Sequence, residues 1–387
     1  MSDPRDVCCW PVQRATLATF GAVLAAGATA CLAVATARYT PGRLAFYALL
    51  CAARLPRATL LGTIGVAAAA PAAMADRSRA ARVTCAVNLA AVTLSAFIST
   101  ALYRTAQAHG IRLSLRTALF GARQHESIQS QEVTFARGVD WRLKADLYWA
   151  RNAAARRPAV VVIHGGAWRY GDKGENLAFN RWLAARGFVV FDIQYRLAGS
   201  ATWREAVDDI CAAMRWLRSQ HPALNIDPRR VALLGRSAGG HLALLTAYTS
   251  AEATRPWRVI AFYAPTDLAR YVDECRGRHR AELRAAVELL ADGTSSSGPA
   301  AYDALSVLRH MHADAPPTLL IHGQWDTGVP VRHSERLAAR AHRAGAHVEL
   351  IKVPFARHVF DLIPGGLATQ LAAAAVLRFL QSSSLPA

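Results

Sequence analysis

Hydrophobic and polar positions divide the chain into two parts with different patterns. Before about residue 124, uncharged apolar runs alternate with short arginine-containing segments. A helix rises about 1.5 Å per residue, so roughly 20 apolar residues cross a hydrocarbon core about 30 Å thick. Three runs meet or approach this length and predict an N-terminal membrane region with about three transmembrane helices, at 15–37, 58–75 and 83–103.

Other interpretations of this region stay open on the sequence alone. Pro71 interrupts the second run, and the apolar stretch 44–53 has about half the spanning length, so two or four spans are alternatives. The first run would also suit a cleaved signal peptide, with small residues for cleavage at Ala33 and Ala35. Because the later runs are apolar as well, we expect membrane association in either case.

After about residue 131, short apolar strands alternate with helical segments. Strands are predicted at 132–137, 142–149, 159–164, 188–195, 231–234, 259–263, 318–321 and 348–353, with helices at 177–186, 203–220 and 241–249. This alternation predicts an α/β fold with a mostly parallel twisted sheet and helices on both faces. Residues 268–315 are charged and helical in pattern, and we expect a cap insertion there. The predicted domains are therefore a membrane region, 1–123, and a globular domain, 124–387.

The net charge of +18 raises the question of an acidic partner. Residues 1–124 hold 13 basic and 3 acidic side chains, and their arginines bracket the apolar runs. Arginine supplies 42 of the 45 basic residues, and no basic stripe alternates with aromatic residues as in many nucleic-acid-binding proteins. We therefore predict a lipid bilayer as a partner and no nucleic acid.

The arginines also bear on orientation in the membrane. With three spans, seven arginines lie in the segments on the same side as the C-terminal domain and five lie on the other side. The positive-inside rule then predicts a multi-pass protein of the cell membrane with that domain in the cytoplasm. One span more or fewer would reverse this orientation.

Candidate chemistry begins at Gly235-Arg236-Ser237-Ala238-Gly239, which follows a predicted strand and precedes a predicted helix. A Gly-x-Ser-x-Gly sequence in this context is typical of a nucleophile elbow, a turn so tight that only small neighbours fit. A serine hydroxyl is a weak nucleophile at neutral pH. It therefore needs a base, a carboxylate that orients the base, and donors for an oxyanion.

Each of these groups has a candidate just after a strand. His164-Gly165-Gly166-Ala167-Trp168 matches an HGG-type oxyanion loop, so we predict four backbone N–H donors, at Gly165, Gly166, Ala167 and Ala238. Asp326 follows the strand at 318–321, and His358 follows the strand at 348–353. The chain order Ser237, Asp326, His358 is that of an α/β-hydrolase triad, with His358 as the base. Asp267 also follows a strand, one strand earlier, and we interpret it as structural or as a pocket residue.

These motifs resemble those of the HGG-motif carboxylesterases of the α/β-hydrolase fold, in their hormone-sensitive-lipase-like and isoprenylcysteine-methylesterase-like branches. The likeness covers about residues 131–380, with Ala167 where many members have a third glycine. The resemblance implies a serine esterase or lipase that hydrolyses short to medium acyl or lipid-derived esters through an acyl-enzyme. It implies a small-molecule ester substrate and neither a metal nor an organic cofactor. The seven cysteines likewise show no spacing typical of a metal site.

The substrate pocket is less well defined by the sequence. Trp168, Tyr170, Tyr263 and Tyr302 are candidate substrate-binding residues, and ordinary packing would explain each of them equally well. Two alternative functions stay open. One is an arylformamidase or peptidase that uses the same triad, and the other is a catalytically silent membrane scaffold.

Overall fold

A computed structural model of the protein describes residues 63–64, 79–121, 127–151, 156–220, 223–274, 278–292 and 299–382. The predicted span 15–37 lies outside the described residues, and so does 58–75 apart from residues 63–64. The described residues fall into two compact units.

The first unit contains one long helix, α1 (Arg79–Ala108). Its segment Cys85–Ala108 is long and apolar enough to cross a membrane, and no other described helix has both properties. The third apolar run of the sequence therefore forms one helix near the N-terminus. A short helix, α2 (Leu115–Phe120), follows, and the Ser114 side chain caps it by accepting a hydrogen bond from the Thr117 N–H at 3.1 Å.

The same unit includes two short segments from near the C-terminus, Pro354–Ala356 and Phe360–Leu371. Within the unit, the rings of Phe97 and Phe355 lie 5.7 Å apart, and Ser114 and Gln370 exchange two hydrogen bonds of 2.7 and 3.1 Å. The N-terminal helices and these two segments therefore pack as one body.

The second unit is built on an eight-stranded sheet with the order β1-β2-β4-β3-β5-β6-β7-β8. The strands are β1 (Ile128–Arg137), β2 (Arg142–Ala150), β3 (Arg157–Ile163), β4 (Val189–Ile193), β5 (Ile226–Arg236), β6 (Val259–Phe262), β7 (Thr318–Gly323) and β8 (Val348–Val353). β2 pairs antiparallel with β1 and β4, and all other pairs are parallel. The prediction of a mostly parallel sheet is confirmed.

Helices connect most of these strands. They are α3 (Leu177–Ala184), α4 (Trp203–Ser219), α5 (Ala238–Thr249), α6 (Leu268–Glu274), α7 (Arg278–Asp292), α8 (Pro299–Leu305), α9 (Arg332–Ala344) and α10 (Leu367–Gln381), of which α10 extends into the first unit. Three of them, α6, α7 and α8, occupy the segment between β6 and β7 where the cap insertion was predicted. β5 begins five residues before the predicted position, because Ile226 pairs with Arg157 across an irregularity in the ladder.

The core lies around the central strands. Every residue of β4, β6 and β7 is buried, so other elements cover both faces of the sheet there. α4 contributes the buried face predicted by its periodicity, with Ile210, Met214 and Leu217 fully buried. Its first turn is fixed by a capping box between Thr202 and Glu205.

The strand order also decides where a site can form. β3 and β5 are neighbours, and the chain leaves β3 toward β4 on one side and leaves β5 toward β6 on the other. Such a reversal leaves a crevice at the carboxyl ends of the strands, where ligands bind in open α/β sheets. The loops after β3 and β5 meet at this point, and those after β7 and β8 lie along the same edge of the sheet.

Candidate active site

Ser237 lies in the sharp turn between β5 and α5, with φ of 52° and ψ of −118°. Non-glycine residues rarely adopt positive φ, because the Cβ atom crowds the backbone. The flanking glycines make this turn possible. A Cβ on Gly235 would overlap the Gly239 carbonyl, and a Cβ on Gly239 would overlap the carbonyls at the end of β3. The tightness of the turn itself therefore explains the glycine at 235, and the close approach of α5 to the end of β3 explains the glycine at 239.

The three residues predicted as a triad come together at the carboxyl edge of the sheet. His358 Nε2 lies 3.0 Å from Ser237 Oγ, and His358 Nδ1 lies 2.7 Å from Asp326 Oδ2. A carboxylate only accepts, so Nδ1 carries the ring proton and Nε2 is left to accept the serine proton. This tautomer is the one that general-base catalysis by His358 requires.

Asp326 is held by more than its histidine partner. Its Oδ1 accepts hydrogen bonds from the backbone N–H groups of Gly328 and Val329, each at 2.8 Å. Burial opposes ionisation of the carboxyl group, but the electrostatic interaction with the His358 ring and the hydrogen bonds from His322 and His358 outweigh it and hold the pKa of Asp326 well below its usual range. The carboxylate is therefore both ionised and fixed in orientation.

His322 is a site residue that our sequence reasoning missed. Its fully buried ring lies with Nε2 2.8 Å from the Val329 carbonyl and 3.4 Å from Asp326 Oδ2. A carbonyl only accepts, so Nε2 carries the proton, and Nδ1 accepts from Ser334 Oγ at 2.7 Å. Its position four residues before Asp326, at the end of a buried strand, was the available signal.

The loop that holds three of the predicted oxyanion donors lies beside Ser237. A Cβ on Gly165 would be 3.5 Å from Ser237 Cβ, so the loop after β3 touches the elbow. Gly166 and Ala167 have positive φ of 113° and 51°, and such turns aim successive N–H groups toward one side. Within the described part of the chain, neither N–H donates to another residue. Ala238 adds an N–H at the start of α5, where the helix dipole favours negative charge.

Side chains behind this loop fix its path. His164 Nδ1 donates to the Gly165 carbonyl at 2.7 Å, and its ring stacks on Tyr195 with centroids 4.4 Å apart. Asp192, buried in β4, accepts from the Gly174 N–H at 2.7 Å and from Asn180 Nδ2 at 2.8 Å. Burial raises the pKa of Asp192 to about 7, even though these donors favour its ionised form.

The four candidate pocket residues occupy different environments. Trp168 is 1% exposed and belongs to the core, and Tyr263 is equally buried with its ring 4.7 Å from that of His358. Tyr302 lies in α8 and is 8% exposed, with Oη 3.3 Å from Glu288 Oε1. Tyr170 is 64% exposed. Tyr263 is therefore the one of the four that contacts the triad, whereas the position of Trp168 gives it a packing role and not an open binding surface.

The fold and the site define a serine hydrolase of the α/β-hydrolase class. A profile of the BD-FAE family matches residues 145–341, which hold Ser237, Asp326 and all four predicted oxyanion donors. The chain belongs to this family of α/β-hydrolase esterases, and its second unit, called the hydrolase unit below, is of the carboxylic ester hydrolase type.

Curated relatives agree with this assignment. A probable carboxylic ester hydrolase of Mycobacterium tuberculosis, LipM, is 29% identical over 229 residues, which are 56% of this chain and 52% of LipM. A probable isoprenylcysteine alpha-carbonyl methylesterase of Arabidopsis thaliana is 25% identical over 54% of this chain and 47% of its own length. The chain thus spans about half the length of these relatives.

A solved structure is similar in the same region. The thermophilic esterase Est2 of Thermogutta terrifontis matches with a TM-score of 0.54 and 28% identity, over 65% of this chain and 91% of Est2. Est2 has also been solved with butyrate bound, with propionate bound and phosphonylated by sarin.

Among the described residues, no group of three or more His, Cys, Asp and Glu side chains is arranged to hold a metal ion. That the reaction needs no cofactor stays a prediction.

Proposed function

We propose that the protein is a membrane-anchored serine carboxylesterase with Ser237 as nucleophile, His358 as general base and acid, and Asp326 as the carboxylate that orients His358. The observation that carries this proposal is the continuous hydrogen-bond chain from Asp326 through His358 to Ser237, with distances of 2.7 and 3.0 Å. The reaction of the similar Est2 with sarin supports it, because activated nucleophiles attack the phosphorus atom of such organophosphorus compounds.

The proposed reaction is a double displacement. His358 Nε2 takes the Ser237 proton while Oγ bonds to the ester carbonyl carbon, and the N–H groups of the oxyanion loop and Ala238 bind the oxygen that becomes negative. His358 then gives its proton to the leaving alcohol as the carbon–oxygen bond breaks. Water attacks the acyl-enzyme, passes its proton to His358, and releases the carboxylic acid as the proton returns to Ser237.

For the substrate, we propose short to medium acyl esters, including esters derived from lipids. The short acyl range is supported by the butyrate and propionate bound to Est2. The lipid-derived range is supported by the helix Cys85–Ala108, because an enzyme held at a bilayer meets esters dissolved there.

For the anchor, we propose a multi-pass region made of 15–37, 58–75 and α1, with the hydrolase unit in the cytoplasm. Extraction of cell membranes with alkaline carbonate should leave the protein in the membrane fraction. Protease added to sealed inverted vesicles should remove the hydrolase unit, whereas its protection there would contradict the cytoplasmic orientation.

The activity is tested with the full-length protein in detergent micelles. p-Nitrophenyl esters from acetate to laurate, a matched anilide and an N-formyl arylamine are compared as substrates for wild type, Ser237→Ala and a surface control, Ser219→Ala. We expect ester turnover to dominate, to disappear in Ser237→Ala and to persist in the control. Faster cleavage of the formamide or anilide would support the amidase alternative, and turnover unaffected by Ser237→Ala would contradict the proposal.

A further inference from the structure

A buried histidine on the nucleophile helix has no part in the proton transfers described above. His241 lies four residues after Ser237 in α5 and is fully buried. Its ring has a partner on each nitrogen. The Trp168 indole Nε1–H donates to Nδ1 at 3.2 Å, and the Leu305 carbonyl lies 2.8 Å from Nε2.

These partners determine which nitrogen carries the proton. A carbonyl oxygen accepts and an indole N–H donates, so His241 carries its proton on Nε2 and accepts on Nδ1. Burial lowers the pKa of His241 to about 4, which keeps the ring neutral at neutral pH. A protonated ring would present an N–H to the indole N–H, and the contact would be lost.

Trp168 connects this histidine to the oxyanion loop. It directly follows Ala167, and both residues have positive φ, of 61° and 51°. Residues other than glycine keep such a backbone only where the surrounding contacts hold it. Two of these contacts are hydrogen bonds made by Trp168: its carbonyl accepts from the Ala198 N–H at 2.8 Å, and its indole donates to His241.

Leu305 connects the same histidine to the cap insertion. It is the last residue of α8 and is fully buried. One imidazole therefore joins three segments distant in sequence: the oxyanion loop, the nucleophile helix and the cap insertion. In sequence, His241 is 73 residues from Trp168 and 64 from Leu305.

We propose that His241 is a positioning residue that holds the oxyanion loop to the nucleophile helix through Trp168 and joins this assembly to the cap insertion through Leu305. The inference rests on the proposed function, since it assigns the Ala167 N–H to the oxyanion. Loss of the Trp168 bond should weaken binding of the transition state and leave substrate binding almost unchanged, so kcat should fall and KM should not. Loss of the Leu305 bond should act on the cap insertion and change KM instead.

Two substitutions of His241 each remove one of its two hydrogen bonds and keep the other. In His241→Asn, the amide oxygen can stand near the place of Nδ1 and still accept from Trp168, but the Leu305 bond is lost. In His241→Gln, the longer side chain can bring its amide nitrogen near the place of Nε2 and donate to Leu305, while the acceptor for Trp168 is lost. Trp168→Phe removes the same bond from the other side.

The test measures kcat, KM and the rate of Ser237 labelling by a fluorophosphonate in full-length protein, with thermal unfolding to confirm folding. Removal of one oxyanion donor costs about 100-fold to 1,000-fold in kcat, and a displaced donor costs less, so we expect a loss of about tenfold or more in His241→Gln and Trp168→Phe. A variant that combines His241→Gln with Trp168→Phe should lose no more kcat than either single variant, because both substitutions remove the same hydrogen bond. His241→Asn should keep kcat within about threefold and change KM.

Equal kcat losses in the folded Asn and Gln variants, or losses that multiply in the double variant, would overturn the proposal. The labelling rate separates this failure from failure of the proposed function. If wild type labels at Ser237 but hydrolyses no ester, the proposed function fails. His241 is then judged by the labelling rate, since the phosphonyl oxygen occupies the same donors.

Discussion

Replacement of Asp326 by asparagine should reverse the tautomer of His358. The N–H groups of Gly328 and Val329 both point at Oδ1, at 2.8 Å, so an asparagine must keep its oxygen there. Its amide nitrogen then stands at the place of Oδ2, which lies 2.7 Å from His358 Nδ1. Because that nitrogen donates, Nδ1 must accept, and the ring proton moves to Nε2, where it faces Ser237 and blocks proton transfer.

The substitution should lower kcat for two reasons. His358 can no longer act as the base, and the carboxylate charge that stabilises protonated His358 is lost. In a comparable triad, an asparagine with the wrong tautomer costs about 10⁴-fold in kcat, which corresponds to about 5 kcal/mol. We expect a loss of about 10³-fold to 10⁴-fold in Asp326→Asn at neutral pH with little change in KM. The pKa of Asp326 lies well below its usual range, so the carboxylate of wild type stays ionised throughout a normal pH profile.

The assay is steady-state hydrolysis of p-nitrophenyl butyrate by the full-length protein, with urea unfolding as a check on folding. Asp267→Asn is the matched control. Asp267 also follows a strand, but its carboxylate forms an ion pair with Arg270, with Oδ2 3.2 Å from Nε. We expect the control to stay within about threefold of wild type. A folded Asp326→Asn variant with kcat within tenfold of wild type would refute the assignment of Asp326 as the orienting carboxylate.

Three further predictions concern the surroundings of the triad. The folded protein keeps the Asp192 proton up to about pH 7, whereas the unfolded chain releases it near the ordinary aspartate pKa of 3.8, so this group lowers stability as the pH rises between the two values. The free energy of unfolding of Asp192→Asn should therefore exceed that of wild type by more at about pH 8 than at about pH 5. An equal excess at both pH values would contradict the raised pKa of Asp192. Gly239→Ala should lose about 2 kcal/mol of stability, measured by urea unfolding, because its Cβ would meet the carbonyl of Ile163, and wild-type stability would show that the elbow has room. His322→Ala should lower kcat about tenfold without changing KM, since it removes the hydrogen bond to Val329 that holds the Asp326 loop, and an unchanged kcat would make that bond irrelevant to catalysis.

The sequence predicts the fold well because each element carries its own local signal. β4 and β6 are short apolar runs, and their burial on both faces is what such runs indicate. The elbow at Ser237 is similarly local, since the tight turn demands glycine on both sides. The triad follows from the same logic, because parallel strands place their ends, and so Asp326 and His358, at one edge.

The contacts missed by sequence reasoning are those between distant segments. The ring of His241 has its partners at Trp168 and Leu305, and nothing near His241 in the sequence marks either of them. Trp168 looked like a pocket wall because it follows the glycines of the oxyanion loop, yet its side chain turns into the core. In both cases tertiary packing decides the role of the side chain, and periodicity within one element does not report it.

For the proposed membrane region, too, only part of the sequence prediction is tested by the structure. The third apolar run forms a helix that meets the length and composition required to cross a bilayer, at Cys85–Ala108. The number of spans and the side of the hydrolase unit depend on the segments before it, which are addressed by the carbonate extraction and protease experiments.

The position of the covalent adduct shows directly whether Ser237 is the nucleophile. Full-length protein is treated with a fluorophosphonate, digested and analysed by mass spectrometry, alongside His358→Ala as a variant that keeps the serine but lacks its base. We expect a single phosphonyl adduct on Ser237 in wild type and much slower formation of that adduct in the variant. An adduct on another serine, or ester turnover that persists while Ser237 stays unmodified, would contradict the assignment of Ser237 as nucleophile.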